Sequence, residues 1–357
     1  MAKFLLFSDI HIHAHKKSQE RLYDCLKALE WVFSVAKEHK VDAVLFGGDL
    51  LHDRQKIDTL TYVEIYNVLQ KFEKESFKIY LLLGNHDLWF SSKWSVSSVK
   101  PFGAIKNIEV IEETCKKNLH GVEWHFMPYT HNPVAELEKL APLPNQSYFL
   151  GHLALDGAKL NSAGSISDVI IEHDGDMTVI GKDLFNNYKR GFLGHYHSAQ
   201  KLTPVLEYIG SPLQLSFGEA DDEKHVILLD SDTDKLTYIE NDFSPKHFYI
   251  KEEELGGWDK SQLENNFVCL ISEQSDTHQT KKNMSKVLED LKASSVQVKK
   301  QSKKQDEHAI ADVKLLLSDQ DKLLDRYVEQ VQDLKLDKSK LLEIGHKIMR
   351  FEPHEEN

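Results

Sequence analysis

Cysteine is scarce. Cys25, Cys115 and Cys269 are the three in 357 residues, and no two stand as Cys-x-x-Cys. That spacing excludes a disulfide scaffold and a cysteine metal site, and fits a reducing, cytoplasmic compartment. Long apolar runs are missing too. Hydrophobic residues make up 41% of the chain, yet no run approaches the roughly 20 residues that cross a bilayer, so no membrane span is expected. The opening Met-Ala-Lys-Phe-Leu-Leu-Phe-Ser-Asp lacks the longer apolar region and cleavage site of a signal peptide, and reads as a strand instead. Positive charge is also short: the formal balance is −13, whereas nucleic-acid binders usually carry a basic one. The deficit is uneven, because Lys281 to Lys304 holds eight Lys against Glu289 and Asp290.

What the chain does have is one arrangement used five times. Ile79-Tyr80-Leu81-Leu82-Leu83 leads into Gly84-Asn85-His86-Asp87. Phe4-Leu5-Leu6-Phe7 leads into Ser8-Asp9-Ile10-His11, and Ala43-Val44-Leu45-Phe46 into Gly47-Gly48-Asp49. Tyr148-Phe149-Leu150 leads into Gly151-His152, and Gly191-Phe192-Leu193 into Gly194-His195-Tyr196-His197. Short apolar runs bounded by Gly read as buried strands. Helical patterns between several of them point to parallel pairing in a layered α/β domain. Such folds gather their ligand-binding groups at the carboxyl ends of the strands. Five turns bearing Asp, Asn and His would then meet on one edge as a cage for two divalent ions. A lone Asp-x-His is more often an ordinary turn, since Asp and Asn favour turns anyway; the weight lies in the set. Gly before four of the ligands suits tightly packed backbone.

Helical spacing predicts helices over about Ser18–His39, Thr59–Phe72 (capped by Asp58) and 132–140. Segment 89–105 is aromatic and Ser-rich, and is read equally as a packing or loop segment or as a dimer contact. Short strands are expected across 107–127. Segments 205–209, 225–230 and 236–240 alternate like antiparallel strands that complete a second sheet. Beyond Phe243-Ser244-Pro245, strand 267–271, helix 282–293 and strand 295–298 form a small βαβ-like module. The charged run Lys299–Glu307 reads as a solvated connector rather than a DNA contact. Two short helical patterns follow, with Ser318 and Asp337 as caps, and they need the core or a partner to cover them.

Paired divalent ions activate water and clamp phosphoryl oxygens during in-line displacement. A carboxylate can bridge both ions, and Asp49 is the candidate. Mixed nitrogen and oxygen donors allow Mn²⁺, Fe or Zn²⁺. The order Asp-x-His, Gly-Asp, Gly-Asn-His, Gly-His, Gly-His-x-His resembles the calcineurin-like metallophosphoesterases. The resemblance implies one ion on Asp9, His11, Asp49 and His197, and another on Asp49, Asn85, His152 and His195. It implies Mn²⁺, with Mg²⁺ as the alternative, and His86 as the general acid, a role suited to a pKa near working pH. Asp87 is expected to support its turn or a ligand His. His13 and His15 are expected to face solvent.

Protein phosphatases of this superfamily carry Gly-Asp-x-x-Asp-Arg-Gly, whose second Asp orients the catalytic His. Here Gly48-Asp49-Leu50-Leu51-His52-Asp53-Arg54-Gln55 puts His52 at that place. This looks like the SbcD-type nucleases, including phage-encoded versions, where such a His contacts the substrate phosphate. Tyr208 to Glu219 is similar to the segment after Gly-His-x-His in that family. The resemblance implies a four-layered, two-sheet α/β sandwich over 1–244, a small α/β capping domain over 245–300, a charged linker over 301–317 and a helix pair over 318–357. It implies Mn²⁺-dependent 3′→5′ exonuclease and endonuclease action on DNA and an SbcC-type, SMC-like ATPase partner bound through 318–350. It also implies a homodimer, for which helix 59–72 and segment 89–105 are the expected contact. Lys281, Lys282, Lys286, Lys299 and Lys300 are the candidate DNA track. Two rivals remain: a stand-alone phosphodiesterase acting on small nucleotides, and a scaffold that only keeps the fold.

Overall fold

The computed structural model describes residues 2–13, 18–89, 96–141, 146–158, 180–273 and 278–300, with Lys340 and Leu342 beyond them. The chain divides into a compact unit, Met1–Lys299, and a second, Lys300–Asn357. The expected linker and all of the expected helix pair but Lys340 and Leu342, which are helical, lie outside the described residues.

The first unit is built on two six-stranded sheets. In the first, β1 (Lys3–Phe7), β2 (Ala43–Phe46), β3 (Lys78–Leu82) and β4 (Ile108–Ile111) run parallel. In the second, β6 (Val122–Met127), β7 (Tyr148–His152) and β8 (Arg190–Gly194) run parallel, flanked by β5 (Cys115–Leu119), β9 (Gln200–Lys201) and β10 (Leu206–Tyr208). Strand side chains alternate between faces, and here both faces are apolar. Phe4, Leu6, Leu45 and Leu82 meet Trp124, Phe126, Tyr148 and Phe192 between the sheets. Leu5, Phe7, Phe46 and Leu81 pack instead on α1 (Gln19–Glu38) and α2 (Thr59–Lys71). Ser18 caps α1 by accepting from Arg21 N, and Asp58 caps α2 by accepting from Leu60 N and Thr61 N. The outer face of the second sheet is covered by a third cluster that includes Phe149, Phe185 and Tyr188. These layers are the expected α/β sandwich.

One expectation fails. Of the three segments assigned to a second sheet, only 206–208 joins it, and it pairs parallel with β8. Strands β11 (His225–Asp230) and β12 (Lys235–Glu240) return to the first sheet, with β11 antiparallel to β1. Alternation marks a strand with distinct faces, but it cannot choose between two sheet edges.

After Asn241 comes a three-stranded sheet of β13 (His247–Lys251), β14 (Phe267–Ser272) and β15 (Ser295–Lys300). Strand β13 has no counterpart in the expected βαβ-like module. The helix over 282–293 is instead a helix His278–Ser285 followed by a π-helical turn, Lys286–Asp290. Ile250, Val268, Leu270 and Val287 form the module's own small core. The other sheet face turns to the main body: Phe217 meets the rings of His247 and Tyr249 at 4.8 and 5.5 Å. Arg21, from α1, hydrogen-bonds the Gln214 carbonyl and lies 5.3 Å over the Phe267 ring.

A candidate two-metal centre

Each of the parallel strands β1, β2, β3, β7 and β8 ends in one of the five turns, so their shared direction brings the turns to one edge. The chain then leaves ordinary backbone geometry. Asp9, His11, Asp49 and His195 all have positive φ, at 53°, 45°, 63° and 100°. Such values are uncommon outside Gly, and persist where the surrounding structure enforces them. Here the backbone ladder continues past the strands, with Asp9 N donating to Gly48 O at 2.9 Å and His11 N to Asp49 O at 3.1 Å. Gly84 is required by proximity: a Cβ there would overlap the Asp49 carboxylate.

The donor atoms point at one another. Asp49 Oδ2 lies 3.4 Å from His11 Nε2 and 3.3 Å from His152 Nε2, between the two halves of the site. His11 Nε2 faces His197 Nε2 at 3.0 Å. Asn85 Oδ1 lies 3.0 Å from His152 Nε2 and 3.2 Å from His195 Nδ1. Asp9 accepts from His195 N at 3.0 Å. Asp9, His11 and His197 form one cluster within metal-holding reach, and Asp9, Asp49 and His152 another. Imidazole nitrogens turned on each other at such distances are unfavourable unless a proton or cation sits among them. This donor set of buried nitrogens and carboxylate oxygens fits divalent ions of the Mn²⁺ or Zn²⁺ type.

Electrostatics inside the cluster are strong. Burial raises the Asp49 carboxyl, but His152 and His86 outweigh it and hold it well below the usual range. Burial lowers His152, but Asp49 and Asp9 outweigh that and raise it to about 9. His11 is pushed well down, by burial first and then by His197 and His86.

The calcineurin-like phosphoesterase family matches residues 2–199, more than half the chain. This protein belongs to that family. Among its relatives, Exonuclease subunit 1 of Enterobacteria phage T4 is 20% identical over 258 residues, 72% of either chain. The SbcD component of the nuclease SbcCD from Escherichia coli K12 is 25% identical over 279 residues, 67% of either chain. The solved structure of Pseudomonas putida nuclease MPE is matched at 14% identity over 66% of this chain and 87% of that one, with a TM-score of 0.29.

Two more histidines lie beside the donor cluster. His86 is buried, its backbone N donates to Asp49 Oδ1 at 2.8 Å, and its Nδ1 lies 2.6 Å from the His52 carbonyl. The His52 residue is exposed, with its ring 5.6 Å from that of His86. Its backbone carbonyl thus holds the His86 ring through Nδ1. Asp87 serves its turns rather than a ligand His or substrate. Its Oδ2 accepts from Asp49 N and Gly84 N at 2.9 and 3.0 Å, and its Oδ1 from Leu50 N and Leu51 N at 2.9 and 3.3 Å. Burial, then the Asp49 charge, pushes the Asp87 carboxyl up to about 7.

His13 corrects an expectation. It is buried, hydrogen-bonds the His11 carbonyl through Nδ1 at 2.7 Å and stacks on His52 at 4.3 Å. His15 lies outside the described residues. Tyr129 is a neighbour of the site that the motifs do not mark. It follows β6, another parallel strand, and its ring lies 6.3 and 6.4 Å from those of His152 and His195. The turn after β6, Pro128-Tyr129-Thr130-His131, does carry a histidine, but no Gly precedes it, so the Gly-then-donor pattern passes over it.

The five lysines do not form one patch. Lys281, Lys282 and Lys286 lie on the helical segment covering the module sheet, whereas Lys299 sits 5.7 Å over Tyr249 on the opposite sheet face. Strand alternation puts Lys300 back on the helix side. No helix of the described residues is long and apolar enough to cross a membrane.

Proposed function

We propose that this chain is the nuclease subunit of an SbcCD-like complex, hydrolysing DNA phosphodiesters with Mn²⁺ as a 3′→5′ exonuclease and endonuclease in DNA repair, recombination or replication. The observation that carries the reading is the His52–His86 pair beside the donor cluster. A carbonyl, not a carboxylate, orients the buried His86, and the exposed His52 stands beside it with its ring 5.6 Å away, where it can meet a phosphate. The two named nuclease relatives, each matched over about two thirds or more of both chains, support the same reading.

In this reading Asp9, His11, Asp49 and His197 hold one ion, and Asp49, Asn85, His152 and His195 the other, with Mg²⁺ as the alternative metal. Bound ions supply Lewis-acid stabilisation of the phosphoryl charge. The chain's own residues do the rest. His86 donates its Nδ1–H to the His52 carbonyl, which leaves Nε2 to hand a proton to the departing oxygen. Its backbone bond to Asp49 Oδ1 ties that proton donor to the bridging carboxylate. His52, backed by the stacked His13, orients the phosphate.

The remaining assignments belong to the same proposal: core 1–244, capping module 245–300, linker 301–317 and partner helices 318–357. The ATPase contact through 318–350 lies almost wholly outside the described residues. The helix-side lysines, Lys281, Lys282, Lys286 and Lys300, are favoured for the DNA track. A homodimer contact is supported by exposed Leu60, Val63 and Tyr66 on α2 and by exposed Trp89 and Val96. The compartment is cytoplasmic.

The test is Mn²⁺-dependent cleavage of end-labelled linear duplex DNA, run beside bis-p-nitrophenyl phosphate with and without an SMC-like ATPase and ATP. Release of the 3′ label, abolished by EDTA, is expected. Turnover of small diesters without DNA cleavage under any condition would favour a nucleotide phosphodiesterase instead.

A further inference from the structure

The segment Gly210–Lys224 has no part in the chemistry above, yet it wraps one ligand on two sides. Glu219 is 1% exposed, and Oε1 lies 3.1 Å from His197 Nδ1, the ring nitrogen turned away from the donor cluster. Its other oxygen accepts from Ser211 Oγ at 3.1 Å, Leu215 N at 3.2 Å and Lys224 Nζ at 2.7 Å. Lys224 is itself buried, and it also donates to the His197 carbonyl at 2.9 Å; Ser211 N donates to that carbonyl at 3.0 Å. Ring and backbone of His197 are therefore held by one buried cluster. Two other histidine ligands of the proposed site, His152 and His11, lack this support. His152 Nδ1 rests on the neutral Gly47 carbonyl at 2.8 Å, and the buried His11 Nδ1 has no hydrogen-bond partner among the described residues.

We infer that Glu219, held by Lys224 and Ser211, is a positioning residue that fixes the tautomer and aim of His197 and makes it a stronger donor to one of the two ions. With Nδ1–H donated to a carboxylate, Nε2 keeps its lone pair facing the cluster. Carboxylate partners of this kind raise ligand basicity, and their loss typically weakens metal binding about 10–100-fold. The inference rests on the two-ion reading of the site.

The experiment is a Mn²⁺ titration followed by electron paramagnetic resonance, on the full chain and on Glu219→Gln and Glu219→Ala. The wild type is expected to take up two ions. Glu219→Ala should weaken one of them about 10–100-fold and leave the other unchanged. Glu219→Gln, which keeps an acceptor oxygen for Nδ1–H, should lie between. Turnover by the variants should recover at saturating Mn²⁺, as a change in metal affinity and not in kcat. Where removal of the carboxylate prevents folding, the Glu219→Ala, Lys224→Met pair removes both members of the buried ion pair together and is read in the same way. Two ions bound with wild-type affinity by folded variants that have merely lost thermal stability would overturn the inference and leave the two-ion reading standing. A wild type that binds fewer than two ions would overturn that reading itself, and the inference with it.

Discussion

Replacing Asp87 by Asn should damage the site without touching a proposed ligand. Asp87 is 0% exposed and accepts four backbone N–H groups, two on each oxygen. These belong to the turns after β2 and β3, so one carboxylate pins together the loops that carry Asp49 and Asn85. An Asn side chain has one acceptor oxygen. Whichever way it turns, two buried N–H groups face its NH₂ instead of an acceptor. An orphaned buried donor costs about 1–3 kcal/mol, giving about 2–6 kcal/mol for the pair. Relief of the cost of burying a charge and of the repulsion from Asp49, which together raise Asp87, offsets part of this, so about 2–3 kcal/mol is expected. Urea unfolding of EDTA-treated protein at pH 7.5 would read it directly. At about 2.1 cal/mol/K per residue, the compact unit Met1–Lys299 shifts by roughly 1.6 °C per kcal/mol, so Tm should drop by roughly 3–5 °C. Mn²⁺ affinity should fall as well, since the Asp49 backbone loses its anchor. An unchanged midpoint and unchanged metal binding would refute the claim that Asp87 fixes these turns.

Other outcomes follow from the same geometry. His86→Ser should lower kcat on DNA by about 10²–10⁴ with Mn²⁺ uptake intact, and by less on bis-p-nitrophenyl phosphate, whose leaving group departs without a proton. His52→Ala should act mainly on KM; parallel losses on both substrates would count against the division of roles. His125 is fully buried between Tyr188 and Glu123, and burial lowers its pKa below the ordinary 6.5. Above about 6.5 it is neutral whether the chain is folded or unfolded; below that the unfolded chain takes up the proton first, so stability falls as pH drops. His125→Gln should flatten that slope in urea melts between pH 7.5 and 5.5. Light scattering on Val63→Glu, Tyr66→Glu should show monomers; an unchanged dimer mass would place the contact elsewhere.

The candidate site is largely legible in the sequence because its residues are local to strand ends. An apolar run followed by Gly and a donor announces both the strand and the ligand's place on the edge, as at Leu83-Gly84-Asn85. What cannot be read depends on tertiary choice. Strands 225–230 and 235–240 are visible as strands, but their place beside β1 depends on which edge is open. His13 looks exposed because it sits in a run of alternating histidines, His11-Ile12-His13-Ala14-His15, while its burial comes with the stack on His52, 39 positions away. Glu219 stands out only as part of a family-like segment. Its partner His197 lies 22 residues before it, and no periodicity connects them. The lysine window looks like a single basic track, yet strand alternation puts Lys299 on the opposite sheet face from Lys281 and Lys282.

The central claim is that the five turns build one centre for two ions. Anomalous diffraction at the manganese edge, from crystals soaked in Mn²⁺, tests it most directly. Two peaks are expected about 3.5–4 Å apart, one among Asp9, His11, Asp49 and His197, the other among Asp49, Asn85, His152 and His195. A single peak, or a peak ligated by His52 and His86 in place of Asp49, would contradict it.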